Sequence, residues 1–188
     1  MAKKLITKIL DFIQFAILIP TTIIIFLWFT VGGIRKVDGY SMYPYFDNKD
    51  LVLLYKLAYN KKPPHRGDII VFQFDENNYF VKRVIGLPGE TIAIHNGHVY
   101  INDKLLDESQ YLAPSVYTSG GAFLIDDVKY TVPTGKYFVM GDNRPHSTDS
   151  RDIGPVELSK FQGRILARVF PIHHIKIVPR ITYQIDTE

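Results

Sequence analysis

Cysteine is absent from the 188 residues. Its absence excludes disulfides, zinc–thiolate sites and a thiol nucleophile, and leaves the compartment open, because an exported bacterial domain can do without cystines. There is no internal repeat and no low-complexity tract. The net charge is only +3 and the basic residues are scattered, which argues against nucleic acid as a partner. Six histidines are present, including His95 and His98 across a tight turn and the adjacent His173 and His174. No His-Glu-x-x-His arrangement or carboxylate set accompanies them, so neither a metal site nor a cofactor is expected. Charge is also missing from one long stretch, between Asp11 and Arg35.

That uncharged stretch, residues 12–34, is mostly Ile, Leu, Phe and Val. As a helix it covers roughly 35 Å, against about 30 Å for a bilayer core. Trp28 and Phe29 stand near its far end, where interfacial aromatics belong, and Pro20 kinks such a helix without preventing insertion. A buried core helix is seldom apolar on every face in so small a protein, and a cleavable signal peptide has an apolar core of only about 7–15 residues. The expectation is an uncleaved single-pass anchor over 9–33. Lys3, Lys4 and Lys8 outweigh Arg35 and Lys36, which favours a cytoplasmic segment 1–8 and an extracytoplasmic domain 34–188.

From Leu51 onward the pattern is β. Short apolar runs at 51–55, 69–74, 79–85, 136–140 and 164–170 are separated by turn residues such as Pro63-Pro64-His65-Arg66-Gly67-Asp68 and Gly86-Leu87-Pro88-Gly89. Asn96-Gly97 between 91–95 and 98–101 predicts a hairpin with a two-residue turn. Residues 156–161 could hold one helical turn. The polar, turn-rich stretch 103–134 reads as an excursion from the main sheet. The predicted fold is mainly β: an antiparallel catalytic domain with a small inserted β excursion at about 96–134, preceded by one transmembrane helix.

Three stretches carry chemistry. In Gly39-Tyr40-Ser41-Met42-Tyr43-Pro44 a serine sits in a short turn, and alone it would be read as a turn former. Lys82 follows on a strand, sharing a face with Phe80 and Val84 while Arg83 and Val81 point the other way. A free lysine is protonated at neutral pH, but apolar cover favours the neutral amine, which could take the Ser41 proton. The bland alternative is a lysine snorkelling at a strand edge. The third stretch, Gly141 to Arg151, is dense in side chains that bond locally and would pass for a solvated turn; here Ser147 could accept from the Lys82 ammonium and Asp149 could pair with Arg151.

In this order and spacing the stretches resemble type I signal peptidase, a membrane-anchored Ser/Lys protease, of Gram-positive type. The resemblance covers the anchor to about Pro171 and takes in Gly39 to Pro44, Arg66 to Phe72, Lys82 to Glu90 and Gly141 to Arg151. It implies Ser41 as nucleophile and Lys82 as general base, with Ser147 orienting Lys82 and Asp149 and Arg151 bracing the site. It implies cleavage of signal peptides from exported preproteins after small residues of Ala-x-Ala type, with Val37, Gly39, Met42, Phe46, Phe80 and Val81 at the substrate. One branch of the family has a serine oxyanion donor two residues before the nucleophile, where this chain has Gly39. The partners implied are preproteins and the lipid bilayer of the cell membrane, with the protein a monomer. Two rival readings remain: a Ser/Lys peptidase specialised for pilus or surface-assembly proteins, and a non-catalytic membrane-anchored assembly module.

Overall fold

The computed structural model describes residues 2–186, except for the side chains of 2–7, 9–11, 27–30 and 186. Helix α1 (Ala2–Val31) contains Pro20 and ends at Gly32-Gly33. Its described apolar side chains are exposed all round, from Phe12 and Ile13 through Leu18 to Phe26. Among the described residues no helix is long and apolar enough to cross a membrane. The anchor expected over 9–33 extends at both ends into side chains outside the described set, Trp28 and Phe29 included.

The chain turns directly from α1 into β1 (Gly32–Lys36), a strand the sequence reading did not foresee. It pairs antiparallel with β2 (Leu51–Tyr55), and Lys56 N–H donates to Val31 O at 2.9 Å, tying the helix end to the sheet. Then follow β3 (Ile69–Gln73), β4 (Tyr79–Gly86), β5 (Thr91–His95), β6 (His98–Ile101), β7 (Lys104–Leu105), β8 (Tyr130–Thr131) and β9 (Lys136–Met140). The short helix α2 (Ser150–Ile153) precedes β10 (Val156–Glu157), a single 3-10 turn at Leu158–Lys160, β11 (Phe161–Phe170) and β12 (Lys176–Ile177). The eight-stranded sheet runs β1-β2-β11-β3-β4-β9-β10, with β12 added beside β11; a four-stranded sheet runs β7-β6-β5-β8. All pairings are antiparallel, as the alternating sequence pattern predicts.

Burial follows strand position. At the centre, β3 is covered on both faces: Ile69 and Val71 enter one hydrophobic cluster with Val37, Met42 and Phe46, while Ile70 and Phe72 enter another with Val84 and Val139. A third cluster joins the two sheets, with Ile85, Phe138 and Met140 of the large sheet packed against Ile92, Ile94, Val99 and Ile101 of the small one. The Asn96-Gly97 turn forms as predicted, with φ of 49° and 82°. The excursion begins earlier than expected. Strand β5 pairs with β6 and β8 rather than with the large sheet, so the smaller sheet starts at Thr91. The junction is pinned just before it, where Glu90 accepts from both terminal nitrogens of buried Arg66 at 2.6 and 2.9 Å and from Leu87 N–H at 2.6 Å.

Candidate active site

Ser41 lies in the turn between β1 and β2, and Lys82 lies in the middle of β4, in register with Ile70 of β3. Lys82 Nζ donates to Ser41 Oγ at 2.7 Å. The lysine is 3% exposed, with its amine 5.1 Å from the centre of the Phe80 ring on the same face of the strand. Burial pulls its pKa from 10.5 to about 8. Asp149 pushes it back up and Arg151 counters by pulling it down, so desolvation decides the outcome.

The turn that carries Ser41 is held by the 141–151 loop. Asn143 donates from N–H to Ser41 O and from Nδ2 to Tyr40 O, both at 3.0 Å. Gly141 permits this approach, because a methyl group there would collide with Ser41 O and Ser147 Oγ. Asp149 caps α2 and is fully buried. Its carboxylate accepts from Gly141 N–H at 2.9 Å and from Arg151 Nε and Nη2 at 2.9 and 2.8 Å. Burial raises its pKa, but the Arg151 contacts and the Gly141 N–H outweigh that and hold it below the usual carboxylate range. Arg151 also donates to Arg144 O at 2.8 Å and Ser119 O at 3.1 Å, fastening the loop to itself and to the small-sheet insertion.

The expected bond from Lys82 to Ser147 is not made. Ser147 Oγ is buried over Gly141, beside the Asp149 carboxylate. The substrate-lining residues also divide. Val37, Gly39, Phe80 and Val81 line a cleft of about 520 Å³ that contains Ser41 and Lys82. Met42 and Phe46, expected beside them, are 1% exposed and outside the cleft wall. Their side chains fill the hydrophobic cluster beneath the Ser41 turn, where they are removed from water. The cleft runs between residues 35–41 and 77–82, and adds Val71, Asn77, Asn78, Tyr79, His146 and Thr148 to its walls.

Other residues of the site were not found by sequence reading. Arg83, opposite Lys82 on β4, donates Nε and Nη2 to Asp142 at 2.8 and 2.6 Å and Nη1 to Gly67 O at 3.1 Å. The rings of Tyr111 and Tyr45 cover the guanidinium at 4.0 and 5.0 Å. Arg144 joins Glu108 of the insertion and donates to Thr118 Oγ1 at 2.7 Å. The C-terminal tail returns to the same core, burying Tyr183 against Arg66 and Gly67. The adjacency of Arg83 to Lys82 and of Asp142 to Gly141 was visible in the sequence; Glu108 and Tyr183 are too distant along the chain to have left a signal.

A serine hydroxyl against a buried amine of lowered pKa, on a β scaffold beside an open cleft, is an arrangement that can support hydrolysis. Residues 8–170 match the family described as Signal peptidase, peptidase S26. The chain is similar to signal peptidase I of Bacillus caldolyticus, 42% identical over 142 residues, covering 72% of this chain and 78% of that protein. It is similar also to signal peptidase I V of Bacillus subtilis, 40% identical, covering 69% and 81%. Probable signal peptidase I-2 of a Synechocystis species is 35% identical, covering 79% and 67%. A solved signal peptidase I from Enterococcus faecalis is 35% identical and covers 55% of this chain and 97% of its own, with a TM-score of 0.44. The chain belongs to the S26 signal peptidase family and is a serine endopeptidase.

Proposed function

We propose that the protein is a membrane-anchored signal peptidase I that removes signal peptides from exported preproteins through a Ser41–Lys82 dyad, cutting after small residues of Ala-x-Ala type. The observation that carries this reading is the 2.7 Å contact between Ser41 Oγ and a lysine amine buried at the cleft. Neutral Lys82 takes the Ser41 proton as Oγ attacks the scissile carbonyl. The ammonium so formed returns the proton to the leaving amine, and the same amine then activates water to release the acyl group. Ser41 N–H, which has no partner among the described residues, would donate to the developing oxyanion. Ser147 Oγ, buried over Gly141, would accept from the transient ammonium. Asp149 and Arg151 act by position, holding the loop that holds Ser41. The apolar parts of Val37, Val71, Phe80 and Val81 give shallow walls suited to small side chains.

The anchor is part of the proposal. Residues 12–34 carry no charge, and the described portion of α1 exposes Ile, Leu and Phe in every direction. Such a surface is stable in lipid and unfavourable in water. Ser41 follows the helix by ten residues, so anchoring confines the enzyme to the surface where a signal peptide emerges and raises the local concentration of both. A form beginning at Gly32, which keeps β1 whole, should hydrolyse a soluble peptide at the full-length rate and process a membrane-held preprotein at least roughly tenfold more slowly. Equal rates on the membrane-held substrate would remove the anchor's role.

The deciding experiment is cleavage of a preprotein bearing an Ala-x-Ala site by the detergent-solubilised protein, with sequencing of the new N-terminus. A cut directly after the site, lost in Ser41→Ala, is expected. Cleavage that survives Ser41→Ala would exclude this nucleophile. Absence of cleavage by a folded wild-type protein would favour a peptidase specialised for another substrate.

A further inference from the structure

The cleft does not end at Ser41. Across a rim formed by Tyr40 and His146, which belong to both, lies a second depression of about 580 Å³, completed by Tyr43, Asp47 and Asn143. Its walls are built on the same hydrogen-bonded turns that position the nucleophile: Tyr43 N–H donates to Tyr40 O at 3.0 Å, and Asn143 binds Tyr40 O and Ser41 O. A peptide whose residues before the scissile bond lie in the cleft must leave Ser41 in some direction, and this depression is the adjoining concave surface.

Its chemistry is specific. Tyr40 and Tyr43 are 57% and 51% exposed, two aromatic faces presented beside a nucleophile. Three aspartates stand on the segment from β1 to β2. Asp38 pairs with Lys36 at 3.1 Å and Asp50 with Arg168 at 2.9 Å, whereas Asp47 has no cationic partner among the described residues. Asp47 Oδ1 accepts from Asn48 N–H at 2.7 Å, which leaves Oδ2 to meet a ligand. A carboxylate in a depression also lined by two phenol rings attracts a cation on an alkyl stem, through charge at its tip and ring contact along its length.

We propose that this depression binds a basic side chain at the first or second residue after the scissile bond, so that the enzyme reads the start of the mature protein as well as the end of the signal peptide. The proposal rests on the peptidase reading above. An acidic side chain at the same place meets Asp47 and is disfavoured; an alanine is neutral.

The test uses three peptides that share one Ala-x-Ala site and carry Lys, Ala or Glu at both positions after the cut, with the full-length chain in detergent at low salt. The kcat/KM for the Lys peptide should exceed that for the Glu peptide roughly tenfold, the sum of an exposed ion pair, a cation–π contact and the matching repulsion. The ratio should fall towards one in Asp47→Asn and invert in Asp47→Lys, and it should shrink in high salt. Asp47 is exposed, so both variants should fold. Equal cleavage of the three peptides by wild type, or a Lys preference unchanged in Asp47→Asn, would overturn the proposal and leave the peptidase reading intact. Failure to cut any of the three would overturn both.

Discussion

Replacing Lys82 by methionine should abolish peptidase activity and stabilise the protein at the same time. Loss of a positioned general base lowers kcat by roughly 10²–10⁴-fold. Lys82→Arg should be as inactive, because a guanidinium keeps its proton. In wild type, kcat/KM should rise with pH and level off above about 8, where Lys82 becomes neutral. At pH 7 a pKa near 8 leaves roughly one amine in ten neutral, against one in several thousand for a solvated lysine, so burial is what would make this amine usable as a base.

The same burial has a stability consequence with a definite sign. The folded pKa of about 8 lies below the unfolded 10.5, so between these values the unfolded chain binds the extra proton. Stability therefore rises with pH across that window, and below it the full cost of the buried charge, about 3 kcal/mol, is present. Methionine removes that cost and forfeits one hydrogen bond to Ser41, about 1 kcal/mol, so Lys82→Met should be the more stable protein at pH 7. The difference should fade as pH rises from 8 to 10.5. Denaturant titrations of both proteins at pH 7 and pH 10 would show it. A variant that keeps activity within tenfold of wild type would rule Lys82 out as the base.

Asp142→Ala should cost about 3–5 kcal/mol, the largest destabilisation expected from a single side chain in the site. It would strand the Arg83 guanidinium, whose side chain is 1% exposed, without the carboxylate that neutralises it. Burial alone would lower the Arg83 pKa, and Asp142 reverses this and raises it. Activity should fall with stability, because Asn143, which holds Ser41 O and Tyr40 O, is the next residue in the chain. The pairing is distinguished from a general loss of packing by a double replacement, Arg83→Met with Asp142→Leu. Removing both charges should recover most of the stability lost by Asp142→Ala alone. A cost below about 1 kcal/mol for Asp142→Ala would show that the pair does not brace the site.

Much of this site was legible in the chain. Ser41 in its turn, Lys82 sharing a strand face with Phe80, and the Gly141 to Arg151 loop are each ordinary by themselves and stand out through their joint order and spacing. Alternation with period two places a side chain on a face, and clustered Asp, Asn, Ser and Gly mark a locally bonded loop. The hairpin at Asn96-Gly97 is of the same kind. Where expectation and structure parted, the deciding forces act between residues far apart in sequence. Met42 and Phe46 look like cleft walls by position, but the packing of β3 and β11 beneath the turn draws them inward. Ser147 was expected at Lys82, and its hydroxyl instead sits over Gly141. Strand β1 was hidden because Gly32-Gly33 reads as the fraying end of an apolar run, and only β2 supplies its hydrogen-bonding partner.

By itself the sequence determined the β architecture, the uncharged N-terminal run and, through four short stretches in order, the likeness to the family that singles out Ser41 and Lys82, because periodicity and motif spacing are properties of neighbouring residues. Only the tertiary structure decided that Lys82 is buried within 2.7 Å of Ser41, that Arg83 and Asp142 lock the loop against the strand, and that Asp47 stands beside the cleft without a counter-ion among the described residues. Desolvation and charge pairing depend on what surrounds a group in three dimensions, and chain order does not specify those surroundings.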